Sequence, residues 1–259
     1  MIIKNFIFLL KLINTQIGNK SIDIRDNNFN DLVKKGYYKF KISQKETDKL
    51  AEELKKNFQK YNITGVGDLR LHGLDRASSY VNEFFKENLK EHLKNINYSS
   101  SNKVSLFSVL GGKLVAGNNQ SSGGGWHRDM YYEQYKILIY LSDVDEKKGP
   151  FCYFEKSHKK YFQIINLILN FFSNNITRYN NLTPEILQKL NFGKKKLLVG
   201  SKGTCIVFNS SGLHRGIKIQ NGERLSMTAY LYPKLENKQY LELENHFKIP
   251  NELKKQITS

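Results

Sequence analysis

From about residue 100 the chain stops reading as helix and becomes a run of short strand-like segments. They are Val104–Leu110, Lys136–Val144, Phe151–Phe154, Leu197–Val199, Thr204–Phe208, His214–Ile219 and Arg224–Tyr232. Gly, Asn and Asp separate them. Short strands punctuated by turn residues restrict the fold to an antiparallel barrel or sandwich. Two helical stretches, Tyr161–Ser173 and Thr183–Leu190, interrupt the pattern, the second opening on Thr-Pro-Glu, a helix-start signal. The sequence has no internal repeat.

Residues 1–100 read differently. Asn30–Lys35 is a helix stopped by Gly36, and Tyr37–Ile42 alternates as a strand. Ser43-Gln-Lys-Glu46 is a capping box, followed by Leu50, Leu54 and Phe58 on one helical face. A further helix is expected from Ser78 to Asn95. The organisation predicted is one domain over 1–259: a mostly helical lead-in to 100, a β core over 101–235 with a helical insertion at 161–191, and a C-terminal extension over 236–259.

A chain of 259 residues buries a core without staples. Its two cysteines, Cys152 and Cys205, lie in apolar stretches without metal-site spacing, which points to a reducing cytosol rather than a disulfide framework or a zinc knuckle. The formal charge of +17 favours anionic partners, although a Lys-, Asn- and Ile-rich composition also produces it without function. The Lys residues are scattered and no aromatic-interleaved basic groove is visible, so no nucleic acid is expected. Phe6–Ile13 is apolar apart from Lys11. It is too short to span a bilayer, and is expected either to pack on the domain or to lie on a membrane or partner surface.

The chemistry concentrates in Gly-Gly-Gly-Trp-His127-Arg-Asp129. On a strand, positions i and i+2 share a face, so one short segment aims an imidazole and a carboxylate at one point. Two His and one carboxylate form the facial set that holds non-haem Fe(II). His214, in Ser-Gly-Leu-His-Arg-Gly, is the candidate third ligand. Arg224 follows ten residues on, past Gln220-Asn221-Gly222-Glu223, whose Asn-Gly suggests a hairpin bringing both side chains to one face. An Arg there can clamp a carboxylate through two parallel hydrogen bonds, which 2-oxoglutarate chelated to iron requires. Lys136 is read as reaching the co-substrate or an anionic substrate, or as pointing to solvent. Trp126 is expected to pack away from the metal. Arg128 and Arg215 are expected on the opposite side from the ligands.

His127-Arg-Asp129, then Gly149-Pro-Phe, Ser157-His158-Lys159 and His214 with Arg224, in that order, resemble the phytanoyl-CoA dioxygenase family over roughly residues 35–235. That family consists of Fe(II)/2-oxoglutarate oxygenases on a double-stranded β-helix (jelly roll, cupin-like). The resemblance implies a mainly β fold with flanking helices, and His127, Asp129 and His214 as iron ligands. It also implies that Arg224 pairs with the distal carboxylate of 2-oxoglutarate and that Ser226 adds a hydroxyl contact. The implied reaction consumes O₂ and 2-oxoglutarate, releases succinate and CO₂, and oxidises a substrate. Related halogenases lack the carboxylate, so Asp129 favours hydroxylation. His158 is expected to be a turn residue. The substrate expected is a small, anionic metabolite, such as a glycan- or secondary-metabolite intermediate. It would be shaped by Tyr61–Ser79, Val115–Gly125 and Tyr161–Asn191. A nucleic-acid-directed oxygenase and a non-enzymatic basic binding protein are the alternatives.

Overall fold

The structure is a computed structural model. It describes residues 27–88, 97–98, 102–103, 105–117, 124–169, 182–189, 191, 193–232 and 237–254. The apolar Phe6–Ile13 segment, the end of the helix expected to reach Asn95, and Ser173 with the rest of 170–181 lie outside them.

The core is two antiparallel sheets facing one another. Helix α1 (Asn27–Lys35) leads into strand β1 (Tyr37–Lys41), and α2 spans Gln44–Lys60. Strand β2 (Gly67–His72) and the short helices α3 (Leu74–Ala77) and α4 (Ser79–Glu83) follow, α4 running into a π turn over Phe84–Asn88. After a two-residue ladder of β3 (Asn97–Tyr98) and β4 (Asn102–Lys103) come β5 (Ser105–Val115), β6 (Tyr135–Tyr140) and β7 (Phe151–Phe154). Helices α5 (Lys160–Leu169) and α6 (Leu182–Lys189) precede β8 (Lys195–Leu198), β9 (Thr204–Asn209), β10 (His214–Gly216) and β11 (Glu223–Tyr232). Helix α7 (Asn237–His246) lies in the C-terminal extension. The larger sheet has the order β1-β9-β6-β11-β5-β2 and the smaller β10-β7-β8.

Local sequence explains the lead-in. Ser43 caps α2 as expected: its hydroxyl accepts from the Glu46 N–H at 3.2 Å, and the Glu46 carboxylate accepts from the Ser43 N–H at 3.0 Å. Leu50, Leu54 and Phe58 are buried in the main core against the outer face of the larger sheet. Gly111 makes that packing possible, since a Cβ there would run into Leu54.

Strands β6 and β9 are buried on both faces, which is why they read as apolar runs rather than alternating ones. On β11 and β5, alternation assigns the faces: Leu225, Met227, Ala229 and Leu231 pack outward under the helices. Arg224, Ser226, Thr228, Tyr230 and Tyr232 face the interior cavity. A smaller cluster of Trp126, Cys152, Phe154, Phe162, Leu187 and Leu213 packs behind the small sheet.

Two expectations need correction. Residues 124–130 form no strand; His127 makes only an isolated antiparallel bridge to His214. Strand β10 does not form a hairpin with β11: it pairs with β7, whereas β11 pairs with β5 and β6. The Asn221-Gly222 turn, with Gly222 at φ 67°, therefore crosses between the two sheets. The Tyr61–Ser79 stretch, expected to shape the substrate site, contains β2, an edge strand of the larger sheet. None of the described helices is long and apolar enough to cross a membrane.

Candidate metal centre

His127 and His214 are directly opposed across two short backbone bonds, His127 N–H to His214 O at 3.0 Å and His214 N–H to His127 O at 2.8 Å. Residues opposed in this way project to the same side. Their rings are accordingly 4.4 Å apart between centroids. Asp129 joins them through a backbone bond from its N–H to the carbonyl of Ser210 at 3.0 Å. Its carboxylate oxygens lie 4.0 Å from His127 Nε2 and 3.7 Å from His214 Nε2. One ligand atom from each of the three residues falls within 4.8 Å of the other two.

The donor set suits a divalent transition metal. His127 Nδ1 lies 2.8 Å from the carbonyl of Gly125, and His214 Nδ1 lies 2.9 Å from that of Gly212. A carbonyl only accepts, so each Nδ1 is the donor and each Nε2 is the nitrogen turned toward Asp129. Burial first, and the neighbouring His127 second, push the His214 pKa down to about 3, keeping its ring neutral. Burial alone would raise the Asp129 pKa, but Lys136, His214 and His127 together outweigh it and hold the carboxyl well below the usual range. Two imidazoles, each presenting Nε2, and one ionised carboxylate therefore face one point, the arrangement that first-row metals with open positions require.

The loop before His214 owes its shape to side chains that satisfy its backbone. The Asn209 side chain accepts from the Ser211 N–H at 3.0 Å and from the Ser211 hydroxyl at 2.7 Å. Ser210 N–H donates to Gln134 O at 2.7 Å, and Leu213 N–H donates to the Ser157 hydroxyl at 2.6 Å. Gly212 is required because a Cβ would collide with the Tyr153 hydroxyl, itself bonded to Asn209 O at 2.9 Å. Arg128, 1 % exposed, ties the two halves of the centre together. It donates to the carbonyls of Ser157 and Ser211 and to the Asn166 side chain. The Ser-Gly-Leu-His and Ser157-His158 signatures are thus one polar brace.

The centre opens on a cavity of about 940 Å³ lined by the inner face of the larger sheet and by the C-terminal extension. Against this geometry the comparisons with known proteins can be set. No family model and no characterised protein matches this sequence. Solved structures do resemble it. The non-haem α-ketoglutarate-dependent epimerase SnoN from nogalamycin biosynthesis aligns over 79% of this chain and 81% of its own, with a TM-score of 0.58 and 13% identity. HygX from Streptomyces hygroscopicus, with nickel and 2-oxoglutarate bound, aligns over 82% and 88% with a TM-score of 0.57 and 16% identity. A Pseudomonas putida prolyl-4-hydroxylase aligns over 80% and 98% with a TM-score of 0.51 and 12% identity. The fold is the one these solved structures share. It is a jelly roll, as the family resemblance implies and within the barrel-or-sandwich class that the run of short strands predicts.

Arg224 and Ser226 both line the cavity. They reach it from β11 while His214 reaches it from β10 in the facing sheet. One nitrogen of the Arg224 guanidinium donates to the carbonyl of Gly149, a residue at φ 65°, and its buried Nε has no hydrogen-bond partner. Burial lowers the Arg224 pKa. The Gly149-Pro150 signature is therefore the support of this guanidinium. Lys136 also lines the cavity, but its ammonium is turned onto Asp129 at 2.7 Å. Trp126 packs away from the metal side, with Arg215 over its ring at 5.0 Å. Arg128 projects away as expected, into the core rather than to solvent. His158 is a turn residue, 2.9 Å from Val33 O through Nε2, and is not among the clustered ligands.

The cavity has walls that the motifs do not announce. On β2, Asp68, Arg70 and His72 face inward, alternating with Leu69 and Leu71. This period-two pattern is legible in the sequence, although flanking glycines disguise it as loop. Arg70 forks onto Asp68 at 2.6 and 3.0 Å. The C-terminal extension adds Leu243, His246, Phe247, Lys248 and Pro250. Phe247 closes that end, 4.8 Å from the Tyr230 ring and 5.1 Å from the His72 ring. By contrast, no described residue of the 161–191 insertion lines the cavity. Phe162 and Leu187 pack behind the small sheet instead.

Proposed function

We propose that this protein is an Fe(II)/2-oxoglutarate-dependent dioxygenase of the phytanoyl-CoA dioxygenase type that hydroxylates a small, anionic metabolite. The observation that carries this reading is the convergence of His127, Asp129 and His214 within 4.8 Å, at one end of a cavity that also contains Arg224. The three residues would hold the iron, which with O₂ supplies oxidative decarboxylation of 2-oxoglutarate to succinate and CO₂ and oxidation of the substrate. Arg224 would grip the distal carboxylate with the donors that Gly149 does not engage, and Ser226 would add a hydroxyl on the same strand face. The cavity is large enough for a co-substrate and a metabolite together. Lys248 on its far wall, and the formal charge of +17, support an anionic substrate. A reducing cytosol, which suits the buried free thiols Cys152 and Cys205, belongs to the same proposal.

The test is a screen of phosphorylated, nucleotide-linked and carboxylate metabolites with Fe(II) and 2-oxoglutarate, reading succinate release. Expected is substrate-stimulated succinate that His127→Ala, Asp129→Ala and His214→Ala each abolish. Succinate release that survives loss of any of the three would refute the ligand set.

A further inference from the structure

One cavity residue has a place in the geometry that the proposed reaction does not use. Lys136 has a 9 % exposed side chain, yet its Nζ lies 2.7 Å from Asp129 Oδ2. On one side it packs under the Tyr230 ring, 4.2 Å from the centroid. Tyr230 is its register partner on β11, and Phe208 is its register partner on β9. Asp129 is the carboxylate with which Lys136 is paired. A cation in such surroundings persists only where it offsets a charge.

We propose that Lys136 is a positioning residue of the metal centre, holding the Asp129 carboxylate so that a single oxygen faces the metal. The inference rests on the ligand set proposed above. A carboxylate can bind a cation through one oxygen or both. Each oxygen of Asp129 faces one imidazole, Oδ1 at 4.0 Å from His127 Nε2 and Oδ2 at 3.7 Å from His214 Nε2. Only Oδ2 is also ion-paired, with the Lys136 ammonium at 2.7 Å, which leaves Oδ1 as the oxygen without a competing cation. Hydrogen bonds to the second oxygen of a ligating carboxylate fix its orientation. Because both imidazoles already occupy one side, a carboxylate spreading over two positions would consume one that the co-substrate or O₂ needs. Lys136 also offsets the charge of the buried Asp129 carboxylate itself.

Mn(II) alone serves as the probe, with affinity and the number of exchangeable bound waters read together from water-proton relaxation. In Lys136→Met the stem is kept and the ammonium is lost. Expected is several-fold tighter Mn(II) binding, since a like charge is gone and a second oxygen is free, together with a relaxivity loss corresponding to one bound water. Lys136→Gln keeps a neutral donor. It is expected to bind Mn(II) more tightly, as the Met variant does, while retaining wild-type relaxivity, and it carries the test if the Met variant does not fold. Lys136→Arg, with charge and donors restored, should return both readouts toward wild type.

Unchanged or weaker Mn(II) affinity in both the Met and Gln variants would overturn the proposal, since a merely structural ion pair gives that result. So would unchanged metal readouts with a weakened 2-oxoglutarate titration on the Mn(II)-loaded protein, which would make Lys136 a co-substrate contact. If wild-type Mn(II) binding is not removed by His127→Ala, the metal-centre reading itself fails and takes this inference with it.

Discussion

Replacing Arg128 by Met should unfold this protein more readily than any other single polar substitution near the centre. The guanidinium is 1 % exposed and donates to two carbonyls and one side-chain amide, on three segments distant in sequence. Hydrogen bonds to a charged group contribute about 1.5–3 kcal/mol each, so the gross loss is roughly 5–9 kcal/mol. Relief from burying a cation offsets part of it, leaving a net destabilisation of about 3–5 kcal/mol. Urea unfolding of the metal-free protein measures this. With a slope of about 3 kcal/mol/M for a chain of this size, the midpoint should fall by about 1–1.7 M. Arg128→Lys, which keeps the charge but not the fork, should recover only part of the loss. Metal affinity should fall in parallel, because the carbonyl of Ser211 lies three residues before His214. A loss below about 1 kcal/mol would be the range of a surface ion pair and would refute the claim that Arg128 braces the centre.

Three further outcomes are expected. Arg224→Gln should weaken 2-oxoglutarate binding to the Ni(II)-loaded protein about ten- to hundredfold in calorimetry, the equivalent of one charge-assisted hydrogen bond; unchanged affinity would remove Arg224 from the co-substrate site. Gly212→Ala should cost about 1–3 kcal/mol through the clash with Tyr153, and Tyr153→Phe in the same chain should give part of that back. Strict additivity of the two substitutions would contradict the contact. His158 concerns pH: burial first, then the charges of Lys159 and Arg128, lower its pKa from 6.5 to about 4, so the unfolded chain binds its proton first as pH falls. Stability from this residue is intact above pH 6.5 and is lost progressively down to about pH 4, by at most about 3 kcal/mol. His158→Gln should therefore flatten the urea midpoint between pH 7 and pH 5 relative to wild type, and an unaltered slope would count against a neutral buried His158.

Much of the site is local in sequence, and to that extent it was legible there. Ligand types and their order, His127-x-Asp129 followed by His214 and Arg224, are properties of the chain itself. So is the alternation that sends Arg224 and Ser226 inward and Leu225 and Met227 outward, because strand side chains change face at every residue. The capping box at Ser43 involves a span of three residues and needs nothing beyond it. What alternation cannot specify is the partner of a strand. Asn221-Gly222 marks a reversal of the chain, but β10 and β11 then bond to different sheets, since non-local packing rather than the turn selects the hydrogen-bonding neighbour.

The same limit hid the residues that hold the centre in place. Arg128 reads only as a side chain opposite the ligands until Ser157, Asn166 and Ser211 close around it. Lys136 reads as free to meet a ligand until Asp129 is brought to 2.7 Å. Phe247 and His246 read as a trailing extension until α7 is laid against the cavity mouth. Sequence determined which chemical groups this protein possesses and which face of each strand they occupy. Only the tertiary structure decided which of them meet, because burial and pairing of a charged side chain depend on chain segments that are far apart in sequence and have no short-range signal of their own.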